Sequence, residues 1–185
     1  LPEGSGMDAN RRLSLVVPAF NEAAVIARAV AEADDALAGL FDEYEVLVVD
    51  DGSSDDTAAR VRDAAVGRPA VRLIAHGANR GYGAALRTGF AAARFDLVAF
   101  TDADCQFDLA DLGPLAALTD RVPIAVGYRA NRQDPWRRKF LSRGYNRLTR
   151  FLLGTRVRDV DCALKVFRRE VLAQILPESR GFFVN

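Results

Sequence analysis

The chain has 185 residues, half of them hydrophobic and 27% charged, with 25 basic residues balanced by 25 acidic ones. Such a length holds about one domain with a full core, and the zero net charge gives no argument for a nucleic-acid partner. Two cysteines without metal-ligand spacing argue against a disulfide framework and fit a reducing compartment; no signal peptide is visible, and no run of about 18 apolar residues would span a membrane.

Residues 1–6 (LPEGSG) read as a tag or linker remnant, and residues 7–185 as a single domain. Leu13–Val17 (LSLVV) is the first strand, closed by Pro18, which cannot extend a ladder. Asn21 then reads as the N-cap of an alanine-rich helix, with Glu22 in its first turn and its end near Gly39. Glu45–Val49 is the second strand and runs straight into Asp50-Asp51-Gly52-Ser53-Ser54-Asp55, where Ser54 or Asp55 can cap a helix from Asp56 to about Val66. Val71–Ala75 is the third strand. The glycine-rich turn Asn79-Arg80-Gly81-Tyr82-Gly83 opens a helix to Arg94, and Leu97–Thr101 is the fourth strand. Asp108 or Asp111 starts a short helix before a fifth strand, Val122–Gly127, which leads to Tyr128-Arg129.

Strands alternating with helices imply βαβ units and a largely parallel sheet. A polar cluster follows almost every strand: PAFNE, DDGSSD, NRGYG, DADCQ and GYR. In a parallel sheet those strand ends share one edge, where open α/β sheets bind ligands. The clearest case is Leu97–Asp108 (LVAFTDADCQFD), in which a short apolar run breaks into Asp102-Ala103-Asp104. Two aspartates two apart can hold a hard divalent cation that neutralises a diphosphate; taken alone they could equally be an Asp-rich turn.

Beyond Arg129 the pattern changes. Between Arg129 and Arg158 there are ten Lys and Arg residues and one acid, Asp134. Over residues 135–153, Trp136, Phe140, Leu141, Tyr145, Leu148, Phe151 and Leu152 recur at helical spacing, with Lys139, Arg143, Arg147 and Arg150 on a different face. Residues 130–158 therefore read either as a helix packing on the core or as a basic amphipathic segment at a membrane surface or anionic headgroup. Residues 158–169 follow as a turn, a short strand and a helix start. The last residues, RGFFVN, end without a cap or polar tail and are expected to mark a truncated chain.

Several chemistries are disfavoured. A dinucleotide fingerprint would follow the first strand, where PAFNE stands, and no P-loop GK[ST] occurs. His76, the only histidine, reads as a loop or partly buried residue rather than a general base, and Cys105 and Cys162 as packing residues rather than nucleophiles. Asp50, Asp51, Asp55, Asp102 and Asp104 remain, and at one crevice they repel unless a cation or basic ligand joins them. Arg80, Arg129, Lys165 and the basic segment can complement a diphosphate from the other side.

Residues 16–22 (VVPAFNE), 48–55 (VVDDGSSD), 79–85 (NRGYGAA), 102–106 (DADCQ) and 127–129 (GYR) resemble, in this order, the motifs of family 2 glycosyltransferases. Within that family the chain is most similar to the polyprenyl-phosphate (dolichyl-phosphate) mannose and glucose synthases, from about Leu13 onward. The resemblance implies the GT-A fold, a Rossmann-like three-layer α/β fold with a mostly parallel central sheet and helices on both faces. It implies that Pro18, Phe20 and Glu22 line a base pocket, that Val49 and Asp51 hold base and ribose, and that Asp102 and Ala103 lie against the nucleotide. Asp104 and Gln106 would ligate Mg²⁺ or Mn²⁺, Arg129 would face the donor sugar and diphosphate, and Arg143, with Lys165 as a further candidate, would meet an acceptor phosphate. Asp104 and Arg129 are the implied catalytic pair.

The implied reaction is an inverting transfer from a GDP- or UDP-sugar to a polyprenyl phosphate at the cytoplasmic face of a membrane. A family 2 enzyme acting on a glycan, lipid or small-molecule hydroxyl remains an alternative, as does a nucleotide-sugar-binding module without turnover. Two departures from the family pattern stand out: Phe20 where relatives often carry Tyr, and Cys105 where they often carry Gly.

Overall fold

The computed structural model describes residues 11–127 and 164–175. In chain order these form β1 (Arg12–Ala19), α1 (Ile26–Ala38), β2 (Glu43–Asp50), α2 (Thr57–Ala64), β3 (Val71–Ala75), α3 (Tyr82–Ala92) and β4 (Leu97–Phe100). A 3-10 turn at Leu109–Asp111 leads into α4 (Leu112–Leu118), followed by β5 (Ile124–Val126), β6 (Lys165–Arg168) and α5 (Arg169–Ile175).

The six strands lie in the order β3-β2-β1-β4-β6-β5. β1 pairs parallel with both β2 and β4, and β2 pairs parallel with β3. β6 runs antiparallel between β4 and β5. β1 to β5 therefore all point the same way and their C-terminal ends share one edge, while the N-terminal end of β6 meets them there.

Alternation along the strands feeds two cores, as a sheet covered on both faces requires. Leu13, Leu15, Val17, Val46 and Val48 pack with Ile26, Val30, Ala33 and Leu37 of α1, Val61 of α2 and Leu112 and Leu115 of α4. Val16, Leu47, Val49, Val98 and Phe100 pack with Ala85, Leu86 and Phe90 of α3, Phe167 of β6 and Leu172 of α5. Each fully buried Val, Leu or Phe contributes about 1.5–3 kcal/mol, so these two layers hold the sheet and fix its edge.

Several boundaries differ from the sequence reading; β2, for one, runs Glu43–Asp50 rather than Glu45–Val49. β1 does not stop before Pro18, which pairs in register with Val49. The Thr101 amide donates to the Val16 carbonyl, so Val16 and, two residues on, Pro18 face the β4 side of the strand. The β1–β4 pairing has ended there at Val16↔Phe100, and the N–H that Pro18 lacks is not needed. Asn21 is not an N-cap. It has φ 56°, its side chain is engaged by Ser54, and α1 begins only at Ile26. α3 ends at Ala92 rather than Arg94, because Ala93 turns extended and delivers the Arg94 amide to Glu45. β5 is shorter than read, three residues at Ile124–Val126.

Candidate active site

The clusters that follow β1 and β2 are zipped together. The Asn21 amide donates to Ser53 Oγ at 2.9 Å, and the Ser54 amide donates to Asn21 Oδ1 at 2.9 Å. The Glu22 amide donates to Thr57 Oγ1 at 2.8 Å, and the Ala23 amide to Asp55 Oδ2 at 3.2 Å. Asp50 closes its own turn by accepting from the Ser53 amide and hydroxyl. The left-handed Asn21 leaves Phe20, 46% exposed, as one of the few large apolar side chains on the surface of the described residues. A flat ring held open at a strand end can carry a planar ligand group.

Asp51 is the hub of the next junction. Its carboxylate lies 2.6 Å from His76 Nδ1 and accepts from the amides of Arg80 at 3.0 Å and Gly81 at 2.8 Å. His76 Nε2 lies 2.9 Å from Thr88 Oγ1 on α3. Because an ionised carboxylate only accepts, Nδ1 carries the proton in this pair. The cluster after β3 is thereby tied to the cluster after β2. At the end of β4, Tyr82 donates its hydroxyl to Asp102 Oδ1 at 2.8 Å.

Asp104 is exposed, and its Oδ1 accepts from the Gln106 amide at 3.1 Å. Between them Cys105 adopts φ 56°, a left-handed turn that re-aims the chain. The edge is electrostatically negative. The Glu22 carboxyl is raised from its ordinary value by burial and by Asp104, Asp55 and Asp102. Asp55 is held low, chiefly by the Thr57 hydroxyl, and so adds full charge. Tyr82 is pushed up by burial, Asp102 and Asp104, and stays a proton donor. Burial likewise raises the Cys105 thiol, which makes it a poor nucleophile.

Among the described residues no group of three or more His, Cys, Asp and Glu stands ready to enclose a metal ion. The donors present are hard oxygens, the Asp104 carboxylate and the Gln106 amide, both exposed at a negative edge. That set fits Mg²⁺ or Mn²⁺ held by one or two protein oxygens, with water and ligand phosphates completing the shell.

The residues named from the sequence thus divide. Phe20, Glu22, Asp102, Asp104 and Gln106 come together at the common edge, where Pro18 lies buried near the end of the β1–β2 pairing. Val49, Asp51 and Ala103 are also there, but their side chains are 0%, 3% and 4% exposed. Val49 and Ala103 face the two cores, and both Asp51 oxygens are engaged within the protein. Lys165 starts β6 beside Phe100, with Nζ 5.7 Å from its ring centroid, at the same edge. Arg129, Arg143 and the basic segment 130–158 lie outside the described residues. Sequence reasoning missed Asn21 as a cross-link, His76 as a bridge and Tyr82 as the partner of Asp102. The one usable signal was the Ser, Thr and Asn content of facing clusters, which marks side chains able to bond across a gap.

Residues 14–176 match the glycosyl transferase family 2. The chain belongs to this family. It is 36% identical over 173 residues to the undecaprenyl-phosphate 4-deoxy-4-formamido-L-arabinose transferase of Enterobacter sp. (strain 638), covering 92% of this chain and 53% of that protein. The enzyme of the same description from Klebsiella pneumoniae is 35% identical over 169 residues, covering 90% and 51%. The chain therefore spans about half the length of these curated relatives.

Among solved structures, glucosyl-3-phosphoglycerate synthase from Mycobacterium tuberculosis with Mn²⁺, UDP and phosphoglyceric acid superposes with a TM-score of 0.69 at 24% identity, over 89% of this chain and 58% of that one. Its complex with Mn²⁺, UDP-glucose and phosphoglyceric acid gives 0.66 at 26% identity, over 89% and 59%. The family 2 chain is thus a GT-A glycosyltransferase fold, the fold class its motifs imply. Its sheet is mostly parallel, and no helix of the described residues is long and apolar enough to cross a membrane.

Proposed function

We propose that this family 2 domain transfers a sugar from a UDP- or GDP-sugar to a polyprenyl phosphate, with inversion, at the cytoplasmic face of a membrane. The observation that carries the reading is the convergence of PAFNE, DDGSSD, NRGYG and DADCQ on one sheet edge, with Phe20 open and Asp104 exposed. The curated relatives are named as undecaprenyl-phosphate sugar transferases, and solved neighbours carry UDP-glucose or UDP with Mn²⁺.

In this reading Phe20, Pro18 and Glu22 line the base pocket, on a floor to which Val49, Asp51 and Ala103 contribute from beneath. Asp102 faces the nucleotide. Asp104 and Gln106 hold Mg²⁺ or Mn²⁺, which when bound offsets the charge that grows on the departing diphosphate. Arg129 faces the donor, and Arg143 and Lys165 meet the acceptor phosphate, as the resemblance implies. The acceptor oxygen displaces the nucleoside diphosphate in line at the anomeric carbon.

A phosphate acceptor suits an edge whose carboxylates are assigned, in this reading, to the nucleotide and the metal, and whose histidine is engaged within the fold. A phosphate is already an anion and needs no strong base, whereas a hydroxyl does. His76, the chain's only histidine, is buried with both ring nitrogens engaged by Asp51 and Thr88. Incubating the protein with labelled UDP- and GDP-sugars plus either undecaprenyl phosphate or undecaprenol tests this. Label in the phosphate lipid alone is expected; label in undecaprenol alone would move the assignment to a hydroxyl acceptor.

Asp104→Asn removes one charge from the metal donors. Its nucleotide affinity with Mn²⁺ is expected to fall by about tenfold or more, while metal-free affinity stays near wild type. Parallel titrations with and without Mn²⁺ check this, and an unchanged metal-dependent affinity would remove Asp104 from the metal site.

A further inference from the structure

Tyr82 opens α3, the helix that packs over β1 and β2, and it lies against the core cluster that includes Leu86, Phe90 and Phe100. Phenylalanine would pack there as well. The hydroxyl is the part that reaches Asp102 Oδ1, at 2.8 Å. An aspartate side chain has two rotatable bonds, and a charge-assisted hydrogen bond to one of its oxygens narrows its orientations.

The tyrosine is itself held from behind. The two residues before it, Arg80 and Gly81, give their amides to Asp51, and Gly81 turns the chain into the helix with φ 93°. Asp51 is fixed by His76, whose side chain is 4% exposed, and His76 is fixed by Thr88 two turns along α3. A buried anchor therefore runs from α3 through His76 and Asp51 to the turn that aims Tyr82.

We propose that Tyr82 is a positioning residue for nucleotide binding, its hydroxyl setting the orientation of Asp102, with the buried His76–Asp51 pair setting Tyr82. This rests on the reading in which Asp102 faces the nucleotide of the donor. Asp102 enters the binding event already oriented, so less freedom is lost when the ligand arrives.

The test is calorimetric titration of UDP and GDP, at saturating Mn²⁺, into wild type and Tyr82→Phe, with thermal unfolding of both. Wild type is expected to bind one nucleotide, and Tyr82→Phe to bind it about tenfold more weakly, the usual scale for a hydrogen bond to a charged group. Affinity within about twofold of wild type would overturn the positioning role while leaving the nucleotide site in place. Where Tyr82→Phe also loses thermal stability, the Mn²⁺ concentration for half-maximal UDP or GDP binding decides. A shift upward supports positioning of Asp102; no shift means the hydroxyl serves the fold alone and overturns the proposal. Wild type that binds neither nucleotide would overturn the reading of the edge, and this role with it.

Discussion

Glu45→Ala is expected to lower the unfolding free energy by about 3 kcal/mol, at the low end of what removing one partner from a buried ion cluster costs. Glu45 is a fully buried carboxylate in β2 at the edge of the sheet opposite the candidate site. One oxygen accepts from Ser14 Oγ at 2.8 Å and the Arg94 amide at 2.7 Å, and the other from Arg72 at 2.6 Å and Arg94 Nε at 3.0 Å. Arg72 and Arg94 are 40% and 57% exposed, so water can recover them when the carboxylate goes, which places the cost low in the range. For a chain of this length that is a fall in Tm of about 6–12 °C.

The same cluster sets an acid limit. Burial pushes the Glu45 carboxyl up, but the Ser14 hydroxyl, the Arg94 amide and the two arginines together hold it below its ordinary value of 4.5. Its contribution is therefore complete above that value and is lost as the pH falls through the lower, folded one. Urea unfolding of wild type and Glu45→Gln should show a stability gap at pH 7 that narrows below about pH 4.5. A gap of equal size at pH 7 and pH 3 would contradict the assignment.

Gly52→Ala is expected to damage fold and site together. Gly52 has φ 72°, and a Cβ there would stand 2.3 Å from the Ala78 carbonyl carbon and 2.5 Å from the Asn79 nitrogen. The obstacle is backbone, so the cluster after β2 and the turn after β3 must part. Left-handed geometry costs an alanine about 1–2 kcal/mol and the overlap about 1–3 kcal/mol more. The parting falls at the junction where Asp51 holds the Arg80 and Gly81 amides, so nucleotide binding should be lost at temperatures where the variant is still folded. Gly67→Ala separates the two costs. Gly67 has φ 77° with nothing within 4 Å of a Cβ, and should lose only the smaller, conformational part and bind as wild type. Equal stability and equal binding in both variants would mean the two clusters are not locked at Gly52.

What the sequence revealed and what it hid follow from the range of the forces involved. β3 falls at Val71–Ala75 as read, because an apolar run between turns is a local signal. The edge clusters were equally legible, since alternating strands and helices imply parallel strands with ends together. Pro18 misled because its cost depends on which neighbour its missing N–H would have met, and that neighbour, β4, lies about eighty residues on and has already ended. Asn21 misled because a distant amide, that of Ser54, competes for the side chain a helix N-terminus would otherwise use. The short strand after residue 158 was foreseen, but not its antiparallel place between β4 and β5, which only non-local pairing sets. His76 reads from the sequence as a loop or partly buried residue; its bridge from Asp51 to Thr88 needs the registers of β2, β3 and α3 at once.

The most direct measurement is calorimetric titration of UDP- and GDP-sugars into the protein, with and without Mn²⁺. The proposed metal-dependent nucleotide site at the ends of β1, β2 and β4 predicts binding of one nucleotide class, strengthened by Mn²⁺ and weakened by Asp104→Asn. Binding that ignores the metal, or no binding of either class by the folded protein, would contradict it.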